Sequence, residues 1–405
     1  MLREIFPRGY AAYEQSRFAQ ELEDFGAWLN ASGYSDSCAR GHLFRLKHSL
    51  ERMVRSKPCS AYTVAQLETA FGTDNNAARR LVLFRATQRT YQGFLSSRGR
   101  LTATSIDVPF VELRHRYRQD LTELRGLSSG TIKQHESTIS DFLTRALPEG
   151  KNLGCLTHAH IERYLALKSK DVGRHRLQHV VGHLRSFLGF CRARNEIDAP
   201  MDVIDTPRAH GDEVPPRALA WPLVQALLRS VDHSTRSGWR DYTILHLMAH
   251  YGLRPCEIVS LRLDSIDWSA RTLKVEQCKT RSTLVLPLVD RTILILRRYL
   301  RHGGSRSSSP ELFQRARCPA GALTRYAVTD IFEKRAAQSG LPIQGYSAYS
   351  LRHAFAMRLL KRGVGLKAIG DLLGHRNLSS TCHYLRLDID MLREVALPVP
   401  TRAHG

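Results

Sequence analysis

Several absences bound this chain of 405 residues. It has no Cys-x-x-Cys pair: its eight cysteines stand scattered at positions 38, 59, 155, 191, 256, 278, 318 and 382. That scatter argues against a disulfide framework and a structural zinc site, and for a reducing compartment. No apolar run approaches the ~18 residues of a membrane span. The opening Met-Leu-Arg-Glu-Ile-Phe-Pro-Arg lacks the apolar h-region of a secretory signal. A cytoplasmic location with no membrane partner is the expectation. Acidic residues are also scarce, 38 Asp and Glu against 60 Lys and Arg, for a net charge of +22. The basic residues run the whole length and Arg outnumbers Lys, so folded surfaces carry the charge. A polyanion partner, held by planar bidentate contacts to phosphate, follows from that balance.

What is present is an ordinary core: 42% hydrophobic and 24% charged residues, in a length that suggests two or three domains. Apolar residues recur at helical spacing from Arg17 to Met53, with a break at Gly33-Tyr34-Ser35, and again from Tyr117 to Ala146, with a break at Gly126-Leu127-Ser128-Ser129. Each stretch leads to a short capped helix and then a basic amphipathic helix. The first such helix ends Gly93-Phe94-x-x-x-Arg98 and the second Gly189-Phe190-x-x-x-Arg194. Gly33 and Gly126 are 93 residues apart, Gly93 and Gly189 are 96, which suggests a diverged duplication. Two helical modules, 1–108 and 109–205, are therefore expected. Arg45, Lys47, Arg79, Arg80, Arg85 and Arg89 in the first, and Arg174, Arg176, Arg185, Arg192 and Arg194 in the second, form candidate phosphate-tracking faces. A Pro- and Gly-rich stretch, 206–216, reads as a linker to a last domain, 217–405.

That last domain alternates helical and strand patterns. Leu219–Val231 and Tyr242–Tyr251 read as helices, the second stopped by Gly252, and Pro255 sits where a first helical turn tolerates it. Arg254 and Glu257, three apart, share a face. Ile266–Trp268, Thr272–Glu276 and Thr283–Leu288 read as strands, with Lys279 in the turn between the last two. Ser347 or Ser350 is expected to cap a helix running to about Leu360. Leu366–Leu373 reads as a short helix closed by Gly374, and Ser379-Ser380 as the cap of a helix bearing Tyr384. His246-Leu-Met-Ala-His250 has zinc-ligand spacing but no intervening Glu, and 363–370 lacks the spacing of either phosphate-loop motif, so no metal and no nucleotide cofactor is expected.

Five separated elements occur in one order: Tyr251-Gly252-Leu253-Arg254-Pro-Cys-Glu257, Lys279 eight residues before Pro287, Tyr349-Ser-Leu-Arg352-His353, Leu373-Gly374-His375, and Tyr384 nine residues later. In this the chain resembles the tyrosine recombinase (phage integrase) family across the catalytic half, and 110–205 resembles that family's core-binding domain. The implied fold is mainly α with a small β-sheet in the C-terminal domain: helical DNA-binding modules followed by an α+β catalytic domain. The implied activity is a site-specific recombinase, independent of metal and ATP, that cuts and rejoins DNA through a 3′-phosphotyrosyl intermediate. On this reading Tyr384 attacks the phosphate, Arg254, Arg352 and His375 hold its oxygens, and Lys279 protonates the departing 5′-oxygen. Glu257 orients a neighbouring donor and His353 buttresses the site. The implied partners are double-stranded DNA with specific recombination sites and a tetramer, of this chain alone or with related recombinases.

One position departs from the family pattern. The box that ends Arg352-His353 usually opens with His or Lys, and here it opens with Tyr349. An ordinary tyrosine is only about 0.1% ionised at pH 7, which makes it a poor proton acceptor but leaves it a hydrogen-bond donor. Two other readings stay open: a catalytically weak or inactive DNA-binding architectural subunit, and a relaxing enzyme of the type IB topoisomerase kind.

Overall fold

A computed structural model describes residues 1–53, 60–72, 78–102, 110–147, 152–197, 204–205, 217–278, 282–302, 309–316, 318, 321–375 and 377–385. Most are helical. No helix of the described residues is long and apolar enough to cross a membrane. The chain divides into two compact units: Met1–Tyr62 with Gln66–Arg100 and Val214–Gly405, and Thr63–Ala65 with Leu101–Glu213.

The second unit is built on helices Val111–Gln119, Ser129–Ala146, His158–Asp171 and Arg174–Arg192. Ser128 starts the second of these, its hydroxyl accepting the Thr131 N–H at 3.3 Å. Ile139, Phe142, Leu143, Val181, Leu184, Phe187 and Leu188 then turn inward at helical spacing and close the core. Opposite that stripe, Arg174, Arg176, Arg185, Arg192 and Arg194 are all exposed. In the first unit, helices Ala19–Ala31, Asp36–Met53 and Ala78–Ser97 enclose Leu22, Phe25, Leu43, Leu46, Tyr91 and Phe94. The candidate face there is less open. Arg45 is half-buried and donates to Thr87 at 2.7 Å, and Lys47 pairs with Glu51 at 2.8 Å, whereas Arg85 and Arg89 are exposed. The side chains of Arg79 and Arg80 lie outside the described residues. The two Gly-Phe-x-x-x-Arg endings behave alike: Arg98 lies over the Phe94 ring at 6.0 Å and Arg194 over Phe190 at 4.0 Å.

The rest of the first unit surrounds one buried helix, Arg236–Tyr251, on which helices Tyr349–Leu360 and Asp290–His302 pack. Ile244, Leu245, Leu247, Met248 and Ala249 are wholly buried along it. It begins six residues before the expected Tyr242, because Thr235 caps it by accepting the Gly238 N–H at 3.1 Å. The polar start hid it: Arg240 and Asp241 are buried not as apolar periodicity but as an ion cluster. Asp241 accepts from Arg240 at 2.7 Å on one oxygen and from Arg335 at 2.6 Å on the other. Three antiparallel strands follow, Ile266–Asp267, Thr272–Glu276 and Thr283–Pro287, with Leu273 opposite both Ile266 and Leu286. The first stops short of Trp268 because the Asp267 carboxylate accepts the N–H groups of Ser269 and Ala270, turning the chain.

Removing one partner of a buried ion cluster leaves the others unpaired. Asp241→Asn should therefore cost about 3–5 kcal/mol, read as a lowered denaturant midpoint. A loss under about 1 kcal/mol would mean that the two guanidinium groups are solvated.

Candidate active site

Helix Arg236–Tyr251 ends at Gly252, whose φ of 66° is left-handed. A Cβ there would also lie 2.6 Å from the Phe355 ring. The turn delivers Arg254 to the N-cap of helix Pro255–Ser260, with Pro255 in the first turn. Glu257 then reaches back: one oxygen accepts the Arg254 N–H at 2.8 Å, the other its guanidinium at 2.6 Å. Arg352, from the first turn of helix Tyr349–Leu360, enters the same space. It donates to the Gly252 carbonyl at 2.6 Å and to the Leu373 carbonyl, and lies 3.9 Å from Glu257. Arg254 reaches the Gly374 carbonyl at 3.3 Å. Both guanidinium groups are buried, Arg352 to 4% exposure, and Glu257 to 2%. Burial, then the neighbouring Arg254, pulls Arg352 down to about 10, which keeps it charged at neutral pH.

Helix Leu366–Leu373 closes on Gly374, left-handed at φ 61°. His375 follows, with its N–H on the Gly370 carbonyl at 2.9 Å and Nδ1 2.8 Å from the Thr381 hydroxyl. The last described helix, Ser379–Cys382, is four residues long, and its N-cap is Leu378 rather than a serine. Tyr384 lies two residues beyond it, not on it as the pattern suggested. The helix Tyr349–Leu360 likewise begins without a serine cap: Ala348 is its N-cap, and the Ser350 hydroxyl instead accepts the Ser347 N–H.

Tyr384 is packed with Ala356, Met357, Leu360, Ile369 and Leu373 and is only 3% exposed. Its hydroxyl lies 3.1 Å from His353 Nδ1, and its ring is parallel to that of His375, 6.4 Å away. Burial raises its pKa while Arg352 and Arg254 pull the other way. His353, pushed down to about 4 by burial and then by Arg352, is neutral at physiological pH. Arg254, Arg352, Glu257, His353 and Tyr384 thus converge, and His375 adjoins them. Tyr349 stands at the edge, 45% exposed, with its pKa raised by burial against the pull of Arg254 and Arg352. Lys279 lies outside the described residues.

Residues 223–390 match the phage integrase family model. The y4gC protein of Sinorhizobium fredii (strain NBRC 101917 / NGR234), a candidate integrase/recombinase, is 37% identical over 187 residues, 46% of this chain and 96% of the relative. The chain belongs to the tyrosine recombinase (phage integrase) family. A second candidate integrase/recombinase of that strain, y4rA, is 29% identical over 409 residues, covering 98% of this chain and 93% of its own. Among solved structures, a lambda integrase tetramer bound to a Holliday junction aligns at a TM-score of 0.54 and 19% identity, over 76% of this chain and 88% of that one. The fold is that of the integrases, mainly helical with a small sheet.

In this recombinase two supporting residues escaped the sequence reading. Thr381, wholly buried, fixes the His375 ring; Gly370 admits it, since a Cβ there would sit 3.0 Å from the threonine oxygen. Gln277 accepts from the Ser282 hydroxyl at 2.9 Å, donates its N–H to the Ser282 carbonyl at 2.9 Å, and fills the space where Gly374 would carry a Cβ, 2.1 Å away. The only available signal was a polar residue on the alternating strand pattern. Gly374→Ala should cost about 1–3 kcal/mol, from the left-handed φ and from displacing Gln277. In a double-mutant cycle with Gln277→Ala the steric part should be recovered; strict additivity would show that the two do not touch in solution.

Proposed function

We propose that the protein is a site-specific DNA recombinase that cleaves and rejoins strands through a 3′-phosphotyrosyl intermediate. The observation that carries this reading is the pair of buried guanidinium groups sharing one carboxylate beside a buried tyrosine hydroxyl. Attack on a phosphodiester adds negative charge to its non-bridging oxygens, and Arg254 and Arg352 answer it with charge-assisted bonds. His375, held by Thr381, gives a further donor. The Tyr384 oxygen bonds to phosphorus as the bond from phosphorus to the 5′-oxygen breaks; Lys279 protonates that oxygen. The ester energy stays in the phosphotyrosine, so a partner strand's 5′-hydroxyl religates without ATP. The guanidinium pair supplies the neutralisation that a divalent ion supplies elsewhere, and the reaction runs without metal.

The tyrosine must lose a proton, and His353 is placed to take it. Its neutral ring, with Nδ1 at 3.1 Å from the hydroxyl, accepts when the other nitrogen carries the hydrogen. Tyr349, whose raised pKa keeps it protonated, gives a hydrogen bond to phosphate instead. The partners are double-stranded DNA at specific sites and further recombinase protomers in a tetrameric synapse, as in the lambda integrase complex. The exposed arginines on Arg174–Arg192 and its following turn supply backbone contacts. A second reading, a DNA-binding architectural subunit of little activity, is favoured by Tyr349 alone.

A nicked duplex carrying the cognate site separates the two. The native protein should form a protease-resistant covalent DNA adduct, unaffected by chelator, and Tyr384→Phe none. No adduct from the native protein, or an equal one from Tyr384→Phe, would sink the strand-transfer reading. His353→Asn, which keeps a hydrogen-bonding side chain but cannot accept a proton well, should slow adduct formation about 10²-fold or more. Tyr349→His should form at least the native yield. The reverse pattern would return the proton to position 349.

A further inference from the structure

Outside the clamp lies a cavity of about 310 Å³, between the last turns of helix Arg236–Tyr251, the first turn of helix Asp290–His302 and the second half of helix Tyr349–Leu360. None of the residues assigned to strand transfer lines it. Its walls are apolar: Tyr251, Pro287, Val289, Phe355 and Leu359. Its charge is of one sign, supplied by Arg291, Arg358 and Arg362. Arg358 is partly buried and lies over the Trp221 ring at 3.9 Å, which orients the guanidinium without neutralising it. Among the described residues no carboxylate pairs with any of the three.

His246 also lines the cavity and is only 2% exposed. A short relay of hydrogen bonds sets its tautomer. The Val289 N–H donates to the Tyr251 oxygen at 3.3 Å, the Tyr251 hydroxyl donates to Thr292 Oγ1 at 3.1 Å, and Thr292 Oγ1 lies 2.9 Å from His246 Nε2. The threonine oxygen has received one hydrogen and gives its own to Nε2, so the neutral ring carries its hydrogen on Nδ1. Burial, then His250 and Arg291, pushes His246 down to about 3, which keeps that ring neutral at physiological pH. The Nδ1 atom is buried without a hydrogen-bond partner. Such a donor costs free energy until an acceptor meets it, and here it faces a space lined by cations. His250 stacks on the ring at 4.4 Å, but the pair makes no metal site: among the described residues no third His, Cys, Asp or Glu joins them.

We propose that this cavity is a binding site for a small organic carboxylate with an apolar, ring-sized body. The guanidinium forks take the carboxylate oxygens in the planar geometry that suits both. The His246 Nδ1–H supplies a further hydrogen bond, and a ring fills the space among Tyr251, Phe355 and Leu359. A cavity of this size sits at the small end of the range for small-molecule sites, and apolar walls with a few convergent polar groups are the usual lining of one. Inorganic phosphate is the poorer ligand, because a dianion keeps a hydration shell that apolar walls do not replace. Binding here needs no strand-transfer chemistry.

The test is equilibrium dialysis of the full chain against 1-naphthoate. One naphthoate per chain should bind with a Kd below about 1 mM, the value expected when each non-hydrogen atom contributes about 0.3 kcal/mol. Arg358→Ala should weaken binding about tenfold or more, and Arg362→Ala should weaken it measurably. Lys361→Ala removes the same charge from a residue that does not line the cavity, and should bind like the native protein. In protein labelled with ¹⁵N-histidine, the His246 Nδ1 signal should shift during the titration. That signal and Arg362→Ala, an exposed position, carry the test if Arg358→Ala does not fold. No binding in the millimolar range overturns the proposal. So does equal weakening by Lys361→Ala, which would mean attraction to the basic surface at large, and so does a shift confined to other histidines. Equal binding of uncharged 1-naphthalenemethanol, or displacement of naphthoate by equimolar inorganic phosphate, overturns the assigned ligand class.

Discussion

Glu257 holds two guanidinium groups that one carboxylate cannot neutralise. Among the described residues it is the only carboxylate within ion-pair distance of Arg254 or Arg352. Buried charge costs several kcal/mol per ion unless it is answered, so the remaining donors must find partners. They find backbone carbonyls, and those carbonyls belong to the ends of two helices: Gly252 closes Arg236–Tyr251, and Leu373 and Gly374 close Leu366–Leu373. A helix C-terminus carries unsatisfied carbonyls and a partial negative charge. The fold thus stores positive charge with partial charges rather than full ones, and keeps an imbalance that a phosphate can complete. Left-handed glycines are needed at both ends because each chain must turn sharply to expose its last carbonyls.

The same economy shapes the buried tyrosine. Tyr384 is buried in an apolar cluster, where a phenolate would be costly, and two cations nearby reduce that cost without removing it. The net effect holds the phenol protonated until something takes its proton. His353 is depressed by burial and then by Arg352, so its ring is neutral at physiological pH. Burial therefore sets opposite conditions on the two partners of one contact: it keeps the phenol protonated and the imidazole neutral.

Much of this was legible in the chain. Arg254, Glu257, Arg352, His375 and Tyr384 were picked out by the resemblance of five ordered motifs to the tyrosine recombinase family, and the strands Thr272–Glu276 and Thr283–Pro287 by their alternation, the second ending one residue before the expected Leu288. The early start of Arg236–Tyr251 was not legible, since Arg240 and Asp241 are buried through an ion cluster that reads as surface polarity. The contact of His353 with Tyr384 was not legible either, since its partner lies 31 residues away and no local pattern carries it. The serine caps failed for a related reason: a serine beside a helix start is a common signal, but the Ser350 hydroxyl accepts the Ser347 N–H instead. Local physics fixes the elements, and the site is made of contacts between them.

Gln277 is the clearest case of such a contact. It touches the hairpin through Ser282 and the histidine turn through the bare backbone of Gly374, so it ties together two segments nearly a hundred residues apart in the chain. Arg254 grips the carbonyl of that same Gly374. One glycine therefore receives the Arg254 guanidinium on its carbonyl and the Gln277 amide on its open face.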